Sequence, residues 1–118
     1  MPVLNFNAQN APLVESGAKR QTIRRVWKRP IKAGDDLYLK TGMRTKTCRH
    51  LGFAVCARVT PVLLLHGSVQ VDGTGMPLAA ANALAVADGF GGLDPLWAML
   101  DFFKTLYGLP FEGVLIQW

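Results

Sequence analysis

One amphipathic helix near the end of the sequence constrains the fold of this 118-residue chain more than any other segment. In "LDPLWAMLDFFKTLYG", Asp94 is a favourable N-cap, Pro95 suits the first helical position and Gly108 suits the helix end. Large apolar residues recur at helical spacing along the segment, namely Leu96, Leu100, Phe103 and Tyr107. The segment therefore predicts a helix that packs one apolar face on a core.

The remaining segments predict more strands than helices. Strand patterns occupy "VLNF", "RQTIRRVW", "KAGDDLYLK", "FAVCARVTPVLLL" and "EGVLIQW", and helix patterns occupy "QNAPLVESG" and "PLAAANALAVADGF". Asn10 is expected to cap the first helix, and Pro61 to interrupt or end the long strand run. "TGMRTKTCRHLG" predicts a polar basic loop, and Asp72-Gly73 a turn. Because no regular βαβ alternation appears, the order predicts one barrel-like or α+β domain over residues 1–118.

Charge is divided unevenly along the chain. Residues 1–58 carry twelve Lys or Arg against three acids, whereas residues 59–118 carry one Lys against five acids. A basic half favours a polyanionic partner, because phosphates concentrate at a cationic face and release counterions on binding. Solvated surface charge accounts for the same composition.

The sequence predicts no metal, no cofactor and no membrane segment. Cys48 and Cys56 are eight residues apart, and His50 and His66 have no partner at metal-ligand spacing. No apolar run is long enough to span a bilayer, and "MPVLNFNAQNAP" lacks the features of a signal peptide. We therefore expect two reduced thiols in a cytoplasmic protein.

The segment "SGAKRQTIRR" has two interpretations. Strand alternation places Thr22 and Arg24 on one face, together with Arg20, and Ile23 on the other. The segment is then either a solvated basic turn that leads into a strand, or a set of side chains that face a ligand.

Four pieces of the sequence, in this order, resemble the ASCH domain family, which shares the pseudobarrel of the PUA superfold. They are "GAKRQTIR" (the family's Gly-x-Lys-x-x-Thr-x-Arg), "IKAGDDLYL", "LAVADGFGGLDPLWAMLDFFKTLYG" and the closing "FEGVLIQW". A further segment between the second and third of these pieces, "TGMRTKTCRHLGFAVC", is similar to the bacterial and prophage-borne branch of the family. The resemblance implies an α+β fold: a small PUA-like β-barrel with a short N-terminal helix and two helices of the C-terminal half packed on it.

The resemblance also implies a function. The family is proposed to hold RNA or a modified nucleoside in a cleft against the barrel. Some members hydrolyse the acetyl amide on the exocyclic amine of acetylated cytidine with Lys, Thr and a carboxylate, and others look like ribonucleases. Lys19, Thr22 and Asp88 match those three positions here. The amide-hydrolysing members have Glu where Asp88 stands, and a shift near 1 Å in a catalytic contact costs about a hundredfold in rate.

The chemistry of these residues is consistent with binding and with hydrolysis. A threonine hydroxyl needs a neighbouring base, and a lysine serves as that base when burial or nearby cations lower its pKa. Our first expectation is a cleft for RNA or a nucleotide, lined by Lys19, Thr22, Arg24 and Asp88. The alternative is a metal-free amidohydrolase of acylated cytidine-type nucleosides, with Thr22 as nucleophile, Lys19 as base and Asp88 as orienting acid. A ribonuclease is the third possible function.

Further basic and aromatic residues are candidates for contacts with nucleic acid. A basic surface with aromatic side chains suits single-stranded RNA, because the rings stack on bases and the cations pair with phosphates. The candidates are Arg20, Arg25, Trp27, Tyr38, Arg44, Lys46 and Arg49. The structural alternative is that Trp27 packs on the barrel and the loop charges are solvated.

Overall fold

The computed structural model describes residues 2–118, which form eight strands and three helices. In chain order these are β1 (Val3–Phe6), α1 (Ala11–Ser16), β2 (Gln21–Arg24), β3 (Asp36–Thr41), β4 (Arg49–Val55), β5 (Arg58–Leu65), β6 (Ser68–Val71), β7 (Thr74–Gly75), α2 (Leu78–Ala87), α3 (Pro95–Tyr107) and β8 (Phe111–Gln117). The predicted α+β class is confirmed, as is the order of strand, helix, several strands, two helices and a last strand.

The strands lie in two sheets. β1, β3 and β4 form a three-stranded sheet in that order, with β1 parallel to β3 and β3 antiparallel to β4. The other five strands form an antiparallel sheet of order β2-β8-β5-β6-β7. The described strands form two sheets and do not close into one barrel, so the barrel-like part of the expectation is not confirmed in residues 2–118.

Strand β8 separates two hydrophobic cores. Leu115 and Ile116 are adjacent on β8 and point to opposite faces of the five-stranded sheet, as strand alternation requires. Leu115 packs in the core beneath α2 and α3, with Leu64, Met99 and Phe103. Ile116 packs in the core between the two sheets and α1, with residues such as Leu4, Val14 and Leu37. The five-stranded sheet is thus covered on both faces.

The ends of the helices agree with most of the sequence signals. Asp94 caps α3 as predicted, because its carboxylate accepts a hydrogen bond from the Trp97 N–H at 3.0 Å. Gly17 ends α1 in the left-handed conformation, at φ 84°. Asn10 occupies the N-cap position of α1, but its side chain makes no capping hydrogen bond, so that part of the prediction is wrong.

Two strand boundaries differ from the prediction. The predicted polar loop is shorter, because Arg49 and His50 pair with Thr41 and Lys40 and so begin β4. The long strand run divides after Val55, not at Pro61, which lies inside β5 opposite Val114. The Pro61 carbonyl accepts the Asp72 N–H at 2.8 Å on the side of β5 that faces β6. The β5–β6 ladder itself begins one residue later, at the pair of Val62 and Val71. The missing N–H of proline therefore removes no hydrogen bond from the β5–β6 ladder.

None of the three helices combines the length and apolar character that crossing a bilayer would require.

Candidate functional site

The predicted motif lies at an edge of the five-stranded sheet. β2 is the edge strand and is hydrogen-bonded to β8. The Trp118 N–H donates to the Arg20 carbonyl, so alternate residues such as Ile23 turn their backbone groups away from β8. A pocket of about 650 Å³ lies at this edge, between the segment from β1 to α1 and the facing parts of α2 and α3. This volume is within the range of small-molecule sites, roughly 300 to 1,000 Å³.

The floor of the pocket contains a buried pair of opposite charges. The side chains of Lys19 and Asp88 are only 3% and 6% exposed, although they come from distant parts of the chain. Lys19 Nζ donates a hydrogen bond to the backbone carbonyl of Asp88 and lies 3.4 Å from Asp88 Oδ1. Two residues that the motif placed in one site are therefore in contact.

Asp88 reaches the pocket because it ends α2. Its N–H donates to the Leu84 carbonyl at 3.0 Å, and Phe90 N–H donates to the Ala85 carbonyl at 3.0 Å, which closes the last turn. Gly89 reverses the chain at φ 98°, and a Cβ at this position would lie 2.6 Å from Asn10 Oδ1. Asp88 therefore ends α2 and also lines the pocket.

Thr22 and Arg24 form a second polar pair beside the first. Arg24 Nε donates to Thr22 Oγ1 at 3.0 Å, and an Arg24 terminal nitrogen donates to the Asn5 carbonyl at 2.7 Å. The guanidinium lies 5.0 Å from the centroid of the Phe6 ring, and Lys19 Nζ lies 5.9 Å from it. Cation–π contact with Phe6 thus contributes to holding both cations at the pocket wall.

Burial shifts the pKa values of the buried ionisable groups in this pocket. Desolvation raises the pKa of Asp88 to about 6, although the attraction of Lys19, with smaller effects of Arg24 and the Ile23 N–H, opposes the shift. Desolvation also lowers the pKa of Lys19 and of Arg24, and in both cases the negative charge of Asp88 opposes the change. Asp88 therefore exchanges a proton close to neutral pH.

One buried oxygen of the pocket lacks a hydrogen-bond donor. Within residues 2–118, no donor meets hydrogen-bonding geometry at Asp88 Oδ1, although the Lys19 ammonium lies 3.4 Å from it. A buried carboxylate oxygen without a donor is costly, at about 1 to 3 kcal/mol for a neutral group and more for a charged one. Asp88 Oδ1 is thus compensated mainly by the Lys19 ammonium, 3.4 Å away, while the Asp88 residue as a whole lines the pocket.

The other predicted contacts lie away from the pocket lining. The Arg25 guanidinium lies 5.0 Å from the ring centroid of Tyr107, which does line the pocket, but Arg25 itself does not line it. Trp27 packs against the core between the sheets, and Arg20 Nε donates to the Trp118 carbonyl at 3.1 Å. Their role in ligand binding stays a prediction.

The remaining four candidates are on or next to the three-stranded sheet. Tyr38 lies on β3, and Arg44 and Lys46 lie in the exposed loop between β3 and β4. Arg49 begins β4 and forms an exposed ion pair with Glu15 of α1. These four candidates therefore belong to a different surface from the Lys19–Asp88 pocket.

Several lining residues were not found from the sequence. The rim carries amide side chains of Asn5, Asn7, Gln9 and Asn10, and the walls carry Phe6, Phe90, Phe102 and Tyr107. The three glycines of "DGFGG" also line the pocket. The strand β1 that brings Asn5 and Phe6 to β2 belongs to the other sheet, so no local pattern signals the contact.

Comparison of the chain with known protein families, with characterised proteins and with solved structures gives no match. Within residues 2–118, no group of three His, Cys, Asp or Glu side chains is placed to hold a metal ion.

Proposed function

We propose that the pocket at the β2 edge binds a nucleoside or nucleotide unit, free or as part of an RNA strand, and that the chain is an ASCH-type, PUA-like domain. The buried Lys19–Asp88 pair at the floor of a pocket of about 650 Å³ is the observation that carries the binding proposal. The four motif pieces that resemble the ASCH family support the assignment to that class.

The pocket chemistry suits a base with an exocyclic amine. The Asp88 carboxyl group lines the pocket and offers an acceptor to an amine N–H, while the Asn and Gln side chains of the rim offer donors and acceptors together. Phe6, Phe90 and Tyr107 provide apolar ring surface around these polar groups. Apolar ring surface combined with converging polar groups is usual in small-molecule sites.

A second candidate is hydrolysis of an acylated cytidine-type nucleoside without a metal, which the burial of Lys19 favours. A neutral Lys19 would take the Thr22 hydroxyl proton as Thr22 Oγ1 attacks the amide carbonyl, and would return it to the departing amine. Water would then hydrolyse the Thr22 ester. In this structure Thr22 Oγ1 accepts from Arg24 Nε, and Lys19 Nζ bonds to the Asp88 carbonyl. Lys19 would have to turn toward Thr22, so binding is the first proposal.

Binding of a nucleoside through Asp88 should depend on pH. With the pKa of Asp88 at about 6, about nine-tenths of the carboxylate is ionised at pH 7 and about one-tenth at pH 5. We expect the affinity for cytidine, measured by calorimetry, to fall about tenfold from pH 7 to pH 5. Asp88→Asn, which has no carboxylate to titrate, should remove this pH dependence. An affinity of the unaltered protein that is equal at pH 5 and pH 7 would contradict the contact.

Hydrolysis predicts a different result for Thr22→Val, a substitution of nearly equal volume. If the protein releases cytidine from N4-acylated cytidine, this variant should lose the activity by at least a hundredfold while it unfolds at a similar urea concentration. Chromatographic separation of the two nucleosides measures the rate, and Lys19→Ala is the second variant. Activity that survives Thr22→Val rules out the threonine as nucleophile. No activity in the folded, unaltered protein leaves binding as the function.

A further inference from the structure

The outer face of the three-stranded sheet displays a group of aromatic side chains that the pocket does not use. Tyr38 on β3 pairs with Phe53 on β4, and Lys40 pairs with His50. All four point away from the core, because the intervening Leu37 and Leu39 are buried. We call Tyr38, Lys40, His50 and Phe53 the stacking face.

The rings of the stacking face are close together and accessible. The Tyr38 ring centroid lies 5.5 Å from that of Phe53 and 6.4 Å from that of His50. Phe53 is 55% exposed and its neighbour Val55 is 54% exposed. Singly exposed apolar residues are ordinary, whereas contiguous ones such as Tyr38, Phe53 and Val55 are typical of an interaction surface.

The charges around these rings indicate which partner the face suits. Lys40 lies within the face, and Arg44 and Lys46 lie in the loop that joins β3 to β4 beside it. Asp36 is the acidic residue on the same face of β3, at the end of the strand opposite to that loop. The face therefore combines rings at its centre with positive charge at one end, which complements bases and phosphates.

We propose that the stacking face binds single-stranded nucleic acid, with Phe53 and Tyr38 stacking on unpaired bases and with Lys40, Arg44 and Lys46 contacting phosphates. Sheet-based RNA-binding domains stack bases on aromatic side chains of a sheet face in this way. Stacking accepts any base, so the face binds without strong sequence preference. Duplexes are excluded because their bases are already stacked and paired.

The stacking face is separate from the pocket but adjoins it. Asn5 on β1 pairs with Lys40 of β3 and also lies at the pocket rim. The Asn5 side chain reaches the basic loop as well, because its Oδ1 accepts the Met43 N–H at 3.0 Å. Neighbouring strands are about 4.8 Å apart, so Lys40 is one strand from the rim. One nucleic-acid strand can therefore occupy both sites, but binding at the stacking face does not require the pocket to bind a nucleoside.

The test is a titration of fluorescein-labelled single-stranded RNA of roughly ten nucleotides, a length within the site sizes of stacking surfaces. Phe53→Ala should weaken binding about five- to a hundredfold, which is the usual cost of losing one base–ring stack. Phe53→Trp should bind at least as tightly as the unaltered protein. Phe53→Leu keeps the apolar contact without the ring and should resemble Phe53→Ala. Trp97→Ala is the matched control, since Trp97 is 64% exposed on α3 and should leave affinity unchanged.

A second measurement tests the phosphate contacts. Lys40→Gln should weaken binding and make the slope of log affinity against log salt shallower by about one, because one fewer counterion is released. Equal binding by Phe53→Ala and the unaltered protein, or unweakened binding by Phe53→Leu, would overturn the proposal. An absence of RNA binding by the unaltered protein would also overturn it. One such result is that the protein binds no RNA but self-associates on a sizing column, and that Phe53→Ala abolishes the self-association. That last outcome would assign the face to a second copy of the chain.

Discussion

Lys19→Met should lower the free energy of unfolding by about 3 kcal/mol or more at pH 8, and by less at pH 5. Breaking a buried ion pair by removing one partner costs about 3 to 5 kcal/mol, because the remaining charge stays buried. Here that charge is Asp88, whose carboxylate is almost inaccessible and already short of one donor. At pH 5 the carboxylate binds a proton and the buried charge disappears.

The direction of the pH effect follows from the pKa of Asp88. The pKa is about 6 in the folded protein and near its ordinary value of 3.8 in the unfolded chain, so the folded state binds the proton more tightly. The contribution of Asp88 to stability is therefore fully present below pH 3.8 and is lost as pH rises through about 6. Lys19 lowers the Asp88 pKa in the folded protein. Removal of Lys19 therefore raises this pKa, and the loss of stability with rising pH continues to higher pH.

Urea unfolding followed by tryptophan fluorescence at pH 5 and pH 8 measures the effect of Lys19→Met. The matched control is Lys28→Met, which removes an exposed lysine nine positions further along the chain and should change stability by no more than about 0.5 kcal/mol. If Lys19→Met destabilises the protein equally at the two pH values, Asp88 does not carry an unpaired charge in the variant. The Lys19–Asp88 ion pair then does not account for the loss of stability.

The elements that the sequence predicted well are those specified by neighbouring residues. α3 was predicted from Asp94, Pro95 and Gly108, all of which act within one turn of the helix end that they define. The division of β4 from β5 was missed because Pro61 was expected to break the strand. Whether a proline breaks a strand depends on whether the partner strand needs its N–H, which is a property of the sheet and not of the segment.

The candidate site was predicted in part for the same reason. Lys19, Thr22 and Arg24 lie within six positions, so strand alternation and the family resemblance were enough to group them. Asp88 was added by the resemblance, and the structure places its carboxylate 3.4 Å from Lys19 Nζ. The amide rim and Phe6 come from β1 in the other sheet, and no spacing in the sequence predicts contacts between two sheets.

The same division explains why the basic residues do not form one cleft. The twelve basic residues of the first 58 were treated as one surface, but the chain in this region contributes strands to two different sheets. Lys19 and Arg24 lie at the edge of the five-stranded sheet, whereas Lys40, Arg44 and Lys46 lie on or beside the outer face of the three-stranded sheet. A positive half of a sequence therefore corresponds here to two neighbouring surfaces of different chemistry.

Gly113→Ala should destabilise the protein by about 3 kcal/mol and weaken binding in the pocket, although residue 113 does not line it. A Cβ at this buried position of β8 would lie 2.5 Å from the Arg24 carbonyl oxygen and 2.7 Å from the Phe111 ring. Overpacking a core typically costs 1 to 3 kcal/mol, and the upper end applies because one of the contacts is rigid backbone. Relief requires β2 to move away from β8, which displaces Thr22 and Arg24 at the pocket.

Urea unfolding and cytidine titration together test Gly113→Ala, and Gly75→Ala is the matched control. Gly75 also lies in a strand of the same sheet, but no atom lies within 4 Å of the position that its Cβ would take. The control should therefore bind and unfold like the unaltered protein. Because displacement of β2 should affect the hydrogen bond from Arg24 to the Asn5 carbonyl directly, the loss of affinity in Gly113→Ala should persist at low temperature where the variant is fully folded. A folded variant with unchanged affinity would mean that β8 shifts at residue 113 to relieve the strain and that β2 keeps its position.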